Sequence, residues 1–288
     1  MGDAWLVLCP RAPVPRLSLC WPPASACQAE SVGQSWGVVR AGSRLAPWAV
    51  VLLLLAAACG GGRPVSAPVA PVTPGTAVRP LPSGTLVLPR GYDARGGRRY
   101  PVVVMLPASN GTAEAMWRAY APADVIVVLS AGLGSPDDYR TNEEWARTIA
   151  RYERQLREDL AVLARSGSAD TARVVLAGFS MGGDLAWALA LRNPTLVAGA
   201  VVMGSRMSYR AQQGDLATLA LRNARFFVIM GGMEDRTRLA GAQAALRLLE
   251  SWGLAHGYRE VPGLPHLRPP EEVFREALAF VIGDGAGR

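Results

Sequence analysis

The sequence predicts an α/β domain beginning near Ser83, a mainly parallel sheet with helices on both faces. Three observations predict it. From Ser83 onward, short runs of apolar and β-branched residues alternate with longer segments of helical period. Runs such as Val102–Leu106 and Val125–Leu129 are apolar without a break, as strands buried on both faces require. One run, Val174–Ala177, passes directly into a glycine-flanked turn and then a helix.

The elements follow in order. Thr85–Leu88 is expected to be a first strand, and Gly91 to Arg99 a turn-rich connection to Val102–Leu106 and Val125–Leu129. Asn142–Ala164 carries Trp145, Ile149, Tyr152, Leu156, Leu160 and Leu163 at three- and four-residue steps with charges opposite, which predicts an amphipathic helix. The helix after Val174–Ala177 should end near Asn193-Pro194, because proline cannot continue it. Ala198–Met203 and Phe226–Met230 read as buried strands, and Arg236–Trp252 as a second amphipathic helix. Tyr258–Val261 is expected to be a last short strand and Glu271–Val281 a closing helix. Gly204–Arg225 is the longest stretch without a core pattern and has room for a small flap. Trp145, Tyr152 and Trp187 are read as core residues.

Half of the 288 residues are hydrophobic, enough for one sizeable core. All 30 basic residues are arginine, and the net charge is +7. The arginines are scattered among acids, with no basic block and no interleaved aromatics, which argues against nucleic-acid binding. The four cysteines, Cys9, Cys20, Cys27 and Cys59, all precede the predicted domain, so it has neither a disulfide framework nor a thiolate metal site.

The N-terminal part divides into three segments. Residues 1–38, rich in Pro, Trp and Cys, are expected to be a non-native or disordered extension, with the true start near Val38 or Val39. Residues 39–59 place Arg40 and Arg44 before an apolar run, Leu45 to Ala58, of signal-peptide length. Residues 60–82 are rich in Gly and Pro and read as an extended tether before the domain at 83–288.

The turn Gly178-Phe179-Ser180-Met181-Gly182 has the G-x-S-x-G pattern, placed between a strand and a helix. In that setting the serine is forced to positive φ and its hydroxyl stands above the sheet, with small residues needed on either side. Ser180 is therefore the expected nucleophile. An activated serine needs a base, and the base an orienting carboxylate. The chain has only two histidines. His266, after Pro262-Gly263-Leu264-Pro265 and before the last helix, can reach the carboxyl edge of the sheet. His256, just past a helix end, is better suited to capping carbonyls. For the acid, Phe226–Met230 opens into Gly231-Gly232-Met233-Glu234-Asp235. Asp235 is favoured over Glu234 because its spacing from Gly232 suits the turn, although either acid could instead cap the following helix. Asp184 is expected to serve the N-terminal dipole of the elbow helix. An oxyanion hole would draw one backbone N–H from Met181 and a second from Ala108 or Ser109, since Pro107 has none. No metal or organic cofactor is implied.

With these residues in place, the chain from about 84 to 282 resembles compact α/β-hydrolase serine esterases, in particular the phospholipase/carboxylesterase and polyhydroxybutyrate-depolymerase-like groups. The resemblance rests on Ala172-Arg173-Val174 through Gly183, on Gly231 to Asp235, and on Pro262 to His266. It implies the α/β-hydrolase fold and a Ser180, Asp235, His266 triad acting on small-molecule or acyl esters through an acyl-enzyme. Those families usually carry His-Gly where this chain has Pro107-Ala108. Two alternatives stay open: the same triad acting on thioester or peptide bonds, and a non-catalytic hydrolase-fold surface lipoprotein. Leu55-Ala56-Ala57-Ala58-Cys59 is similar to a bacterial lipoprotein signal. It implies lipidation of Cys59 and a membrane-anchored protein of the cell envelope, on the periplasmic or surface face, with simple secretion as the alternative.

Overall fold

The computed structural model describes residues 78–283, apart from 94–95, 121 and 123. Its strands are β1 (Val78–Pro80), β2 (Gly84–Val87), β3 (Tyr100–Leu106), β4 (Ile126–Ser130), β5 (Ala169–Phe179), β6 (Gly199–Met203), β7 (Arg225–Gly231) and β8 (Ala255–Val261). The helices are α1 (Ala113–Tyr120), α2 (Asn142–Arg165), α3 (Met181–Arg192), α4 (Gln213–Leu221), α5 (Arg236–Ser251) and α6 (Glu271–Ile282), with a 3-10 turn at Pro136–Tyr139.

The strands form one sheet in the order β1-β2-β4-β3-β5-β6-β7-β8. Strands β3 to β8 are mutually parallel, while β2 runs antiparallel to both β1 and β4. Parallel strands send all their C-terminal loops to one edge, and that edge is where such sheets bind ligands. The apolar runs are buried because both faces are covered. Val102, Val104 and Leu106 of β3 face the layer that contains α2, α3, α4 and α5, while Val103 and Met105 face α1 and α6. Trp187 and Tyr152 lie in the first core, and Trp145 packs against it, stacked on Tyr139 at 4.6 Å.

Helix α3 is buried from Met181 to Leu191 and sits deep against the sheet. Its first turn can approach so closely only because Gly182 and Gly183 carry no side chains. A Cβ on Gly182 would lie 2.6 Å from the Leu106 carbonyl oxygen, and one on Gly183 would lie 1.9 Å from Ser205 Oγ.

Several elements depart from the expectation. Val78–Pro80, at the end of the expected linker, pairs with β2, so the sheet begins before Ser83. Strand β5 begins at Ala169, with a register shift opposite Pro101 and Val102 that accommodates the polar residues before Val174. The stretch read as a flap contains helix α4, whose Leu216 and Leu219 join the core. The N-terminal extension, the signal-like segment and Cys59 lie outside the described residues. Among the described residues no helix is long and apolar enough to cross a membrane.

Candidate active site

The loop after β5 is a sharp corner. Ser180 has φ 56° and ψ −121°, outside the regions open to an unstrained non-glycine residue. Its N–H donates to the Met203 carbonyl at 2.9 Å, and its carbonyl accepts from Asp184 N at 3.0 Å and from the Ser205 hydroxyl at 2.8 Å. Gly178 is required for the same corner, because a Cβ there would lie 2.1 Å from the Gly182 carbonyl oxygen. The strain is held by neighbours on both sides, and the serine side chain makes no helix cap. It is left pointing at its partner.

That partner is His266. Nε2 of His266 lies 3.0 Å from Ser180 Oγ, although the residues are 86 apart in sequence. The loop after β8 is brought over by its hold on the loop after β7: Met233 N donates to Leu264 O at 3.0 Å and Gly232 N to Val261 O at 2.8 Å. Gly231 permits the approach, since a Cβ there would lie 2.3 Å from the Leu264 carbonyl oxygen. The imidazole also stacks on Phe179, with ring centroids 4.8 Å apart. His256, by contrast, is the second residue of β8, beside Phe226, and its Nδ1 lies 2.8 Å from the Leu254 carbonyl oxygen. It sits at the opposite edge of the sheet, about 16 Å along the strand from the loop that carries His266.

The carboxylate facing His266 is Glu234, and this corrects the expectation for Asp235. Nδ1 of His266 lies 2.9 Å from both Glu234 oxygens, and the glutamate side chain is only 1% exposed. Asp235 turns the other way and caps α5, accepting from Arg238 N at 3.0 Å. That backbone N–H, together with the Arg238 charge, holds its carboxyl below the ordinary aspartate value. The physical reason is side-chain length and position. Aspartate is a strong N-cap residue and glutamate a poor one, so the second acid of the pair is consumed by the helix while the longer one reaches inward. Gly204, at φ 53°, makes room for it: a Cβ there would lie 2.8 Å from Glu234 Oε1.

Met181 opens α3, so its N–H has no acceptor within the helix. The loop carrying Ala108 and Ser109 is braced by Gly111 N donating to Ala108 O at 3.0 Å and Asn110 N donating to Gly134 O at 2.8 Å. Gly134 packs directly behind it, where a Cβ would lie 2.2 Å from the Ala108 carbonyl oxygen and 2.5 Å from the Met181 methyl.

Two contributions are invisible in the sequence pattern. Ser205 is fully buried and ties the serine corner to β6. Asp184 does more than sit near a helix dipole. It accepts from Tyr139 Oη at 2.7 Å, Arg206 N at 3.0 Å and Met207 N at 2.7 Å, clamping the loop after β6. Burial pushes its carboxyl above the usual value despite those donors.

This sheet order, the strained serine between β5 and α3, and the partners drawn from the loops after β7 and β8 define an α/β-hydrolase fold. The Esterase family model matches residues 82–224. A 114-residue stretch is 30% identical to acyl-protein thioesterase 1 of Mycosarcoma maydis, over 38% of this chain and 47% of that protein. The chain thus spans about half the length of the curated relative it matches. Among solved structures, the chain is similar to a carboxylesterase from Bacillus cereus, with a TM-score of 0.51 and 19% identity over 63% of this chain and 87% of that one. It is also similar to a ferulic acid esterase from Anaeromyces mucronatus bound to ferulic acid, with a TM-score of 0.50 and 16% identity over 71% and 86%. At these identities the structural likeness shows the fold.

Proposed function

We propose that this chain is a serine hydrolase cleaving carboxylic esters through an acyl-enzyme, with Ser180 as nucleophile, His266 as base and Glu234 as the orienting carboxylate. The observation that carries the reading is the unbroken hydrogen-bond chain from Ser180 Oγ to His266 Nε2 at 3.0 Å and from His266 Nδ1 to Glu234 at 2.9 Å.

The roles follow from that chain. With the Nδ1 proton donated to Glu234, Nε2 is left as the acceptor that takes the Ser180 proton as Oγ attacks the acyl carbonyl. The developing oxyanion is met by Met181 N–H and by Ala108 or Ser109 N–H, and losing one such donor would cost ~3–4 kcal/mol of transition-state stabilisation. The imidazolium returns its proton to the departing alkoxide, and water then attacks the acyl-enzyme with His266 again as base. The departure at Pro107-Ala108 leaves this intact, because the hole works through backbone groups.

The substrate class follows from the rim. Leu133, Met233 and Leu267 are large apolar residues exposed at 62%, 66% and 59%. They lie on the loops after β4, β7 and β8, at the same sheet edge as Ser180. An uncharged acyl ester of modest size suits that edge. A thioester is the second reading, favoured by the 30% identity to acyl-protein thioesterase 1. With Cys59 lipidated, as the sequence predicts, the domain would act at a bacterial cell envelope.

The test is covalent labelling of the full chain by a fluorophosphonate probe, with the adduct located by peptide mass and S180A as control. A single adduct on the Ser180 peptide, absent from S180A, is expected. A folded chain that does not label would instead favour a non-catalytic binding scaffold. Turnover of matched oxygen and thiol esters then separates the two substrate readings.

A further inference from the structure

The glutamate facing His266 is itself faced by a cation. Arg238 lies in the first turn of α5, and helical side chains lean toward the N-terminus, which carries its guanidinium back over the loop that holds Glu234. Its Nε lies 3.7 Å from Glu234 Oε2, where the arginine side chain is 17% exposed and the glutamate 1%. Asp235 fixes that reach from both ends. It accepts the Arg238 backbone N–H at 3.0 Å, and its second oxygen pairs with Arg238 Nη1. The sequence Glu234-Asp235-Arg236-Thr237-Arg238 thus places one guanidinium between two carboxylates, one capping the helix and one aimed at the imidazole.

Burying a carboxylate is costly unless a cation or a hydrogen-bond donor compensates it. His266 supplies part of that compensation through Nδ1–H, and Arg238 is the fixed positive charge on the other side. We propose that Arg238 is a positioning residue for the site: it holds the Glu234 carboxylate oriented toward His266 Nδ1, and its charge bears on the pH at which the imidazole can act as a base. The inference rests on the hydrolase reading above, but its physical content is an interaction among three side chains.

Other charged groups stand near this pair. Asp235 lies on the same turn. The Tyr139 hydroxyl, bonded to Asp184, feels both Arg206 and Arg238, and Arg206 stands over the Tyr139 ring at 5.6 Å. Asp184 and Arg206 belong to the clamp behind the loop after β6, and among the described residues Arg238 is the arginine in ion-pair reach of Glu234.

The sign of the effect is fixed. Removing the guanidinium takes a positive charge from beside the Glu234–His266 pair, so the pair holds its proton more tightly and to higher pH. The experiment is an NMR titration of the ring protons of His266 in the full-length wild-type chain and in R238Q, R238M and R238K, with His256 as the internal reference. The titration midpoint of His266 should rise by about half a unit or more in R238Q and R238M, stay near wild type in R238K, and leave His256 unmoved. The rate of Ser180 labelling by the fluorophosphonate should show its acid limb displaced in the same direction. R238M keeps the packing of the arginine stem, so it carries the test if R238Q folds poorly. A merely structural role for Arg238 predicts lower thermal stability with an unmoved midpoint, and that result would overturn the proposal. Because the titration needs no turnover, a shifted midpoint in a chain that does not label would sink the hydrolase reading and leave the electrostatic one standing.

Discussion

Glu234 and Asp235 are neighbours in sequence and point to opposite tasks. One carboxylate lies 2.9 Å from His266 Nδ1 and is closed off from solvent, while the other caps helix α5 at the surface. The division follows from reach. A helix that needs an N-cap takes the short acid, and the residue before it is turned toward the sheet edge. The loop after β6 completes the arrangement by placing a glycine, Gly204, against the glutamate.

That glycine gives the first prediction. In G204A the new methyl would stand 2.8 Å from Glu234 Oε1 and 2.7 Å from Phe179 Cε2, at a φ of 53° that alanine tolerates poorly. Glu234 must move. The expected result is a fall in kcat/KM of about tenfold or more, with a lower Tm, measured on a soluble ester. Unchanged kcat/KM would mean that the position of Glu234 does not matter.

The strain at Ser180 gives the second. Its φ of 56° costs on the order of 1–3 kcal/mol in a residue with a Cβ. S180A keeps the Cβ and S180G removes it, while both lack the hydroxyl. S180G should therefore be the more stable of the two by about 1 kcal/mol, or about 2–4 °C in Tm, although neither turns over substrate. Equal melting temperatures would show that the corner is not strained.

Asp184 gives the third. Burial raises its carboxyl above the unfolded value. A group shifted in that direction contributes stability that is present below its unfolded pKa, near ~3.9, and lost as the pH rises through the folded value. D184N, which keeps an acceptor for Arg206 and Met207 but cannot ionise, should lose less stability than wild type on that rise. D184A, which leaves both N–H groups without their acceptor, should be destabilised by about 2–3 kcal/mol. Urea unfolding at acid and neutral pH measures all three.

Much of this was legible in the sequence, for identifiable reasons. Val102–Leu106, Val125–Leu129 and Phe226–Met230 are apolar throughout because helices cover both faces of the strands, and the helical stripe from Trp145 to Leu163 has no competing period. Ser180 and His266 were readable because local chemistry forces each: a glycine-flanked corner for one, and a scarcity of histidines for the other. What escaped is set by tertiary pairing. Val78–Pro80 is too short and proline-rich to look like a strand, and becomes one only against β2. Ala169–Arg173 is polar, and joins β5 only through an irregular register with β3. Turn spacing from Gly232 points to Asp235, whereas helix capping takes Asp235 and leaves Glu234 to face His266. The better N-cap residue standing directly before Arg236 was the available signal.

The most direct test of the account sets these two acids against each other. Steady-state kcat/KM on one small ester is measured for wild type, E234Q and D235N, with circular dichroism to verify that each is folded. Asparagine preserves the helix cap, so D235N should stay within a few-fold of wild type, whereas E234Q removes the charge that orients and stabilises the imidazolium and should lose about a hundredfold or more. The reverse pattern, with E234Q active and D235N dead, would contradict the assignment of Glu234 and return the role to Asp235.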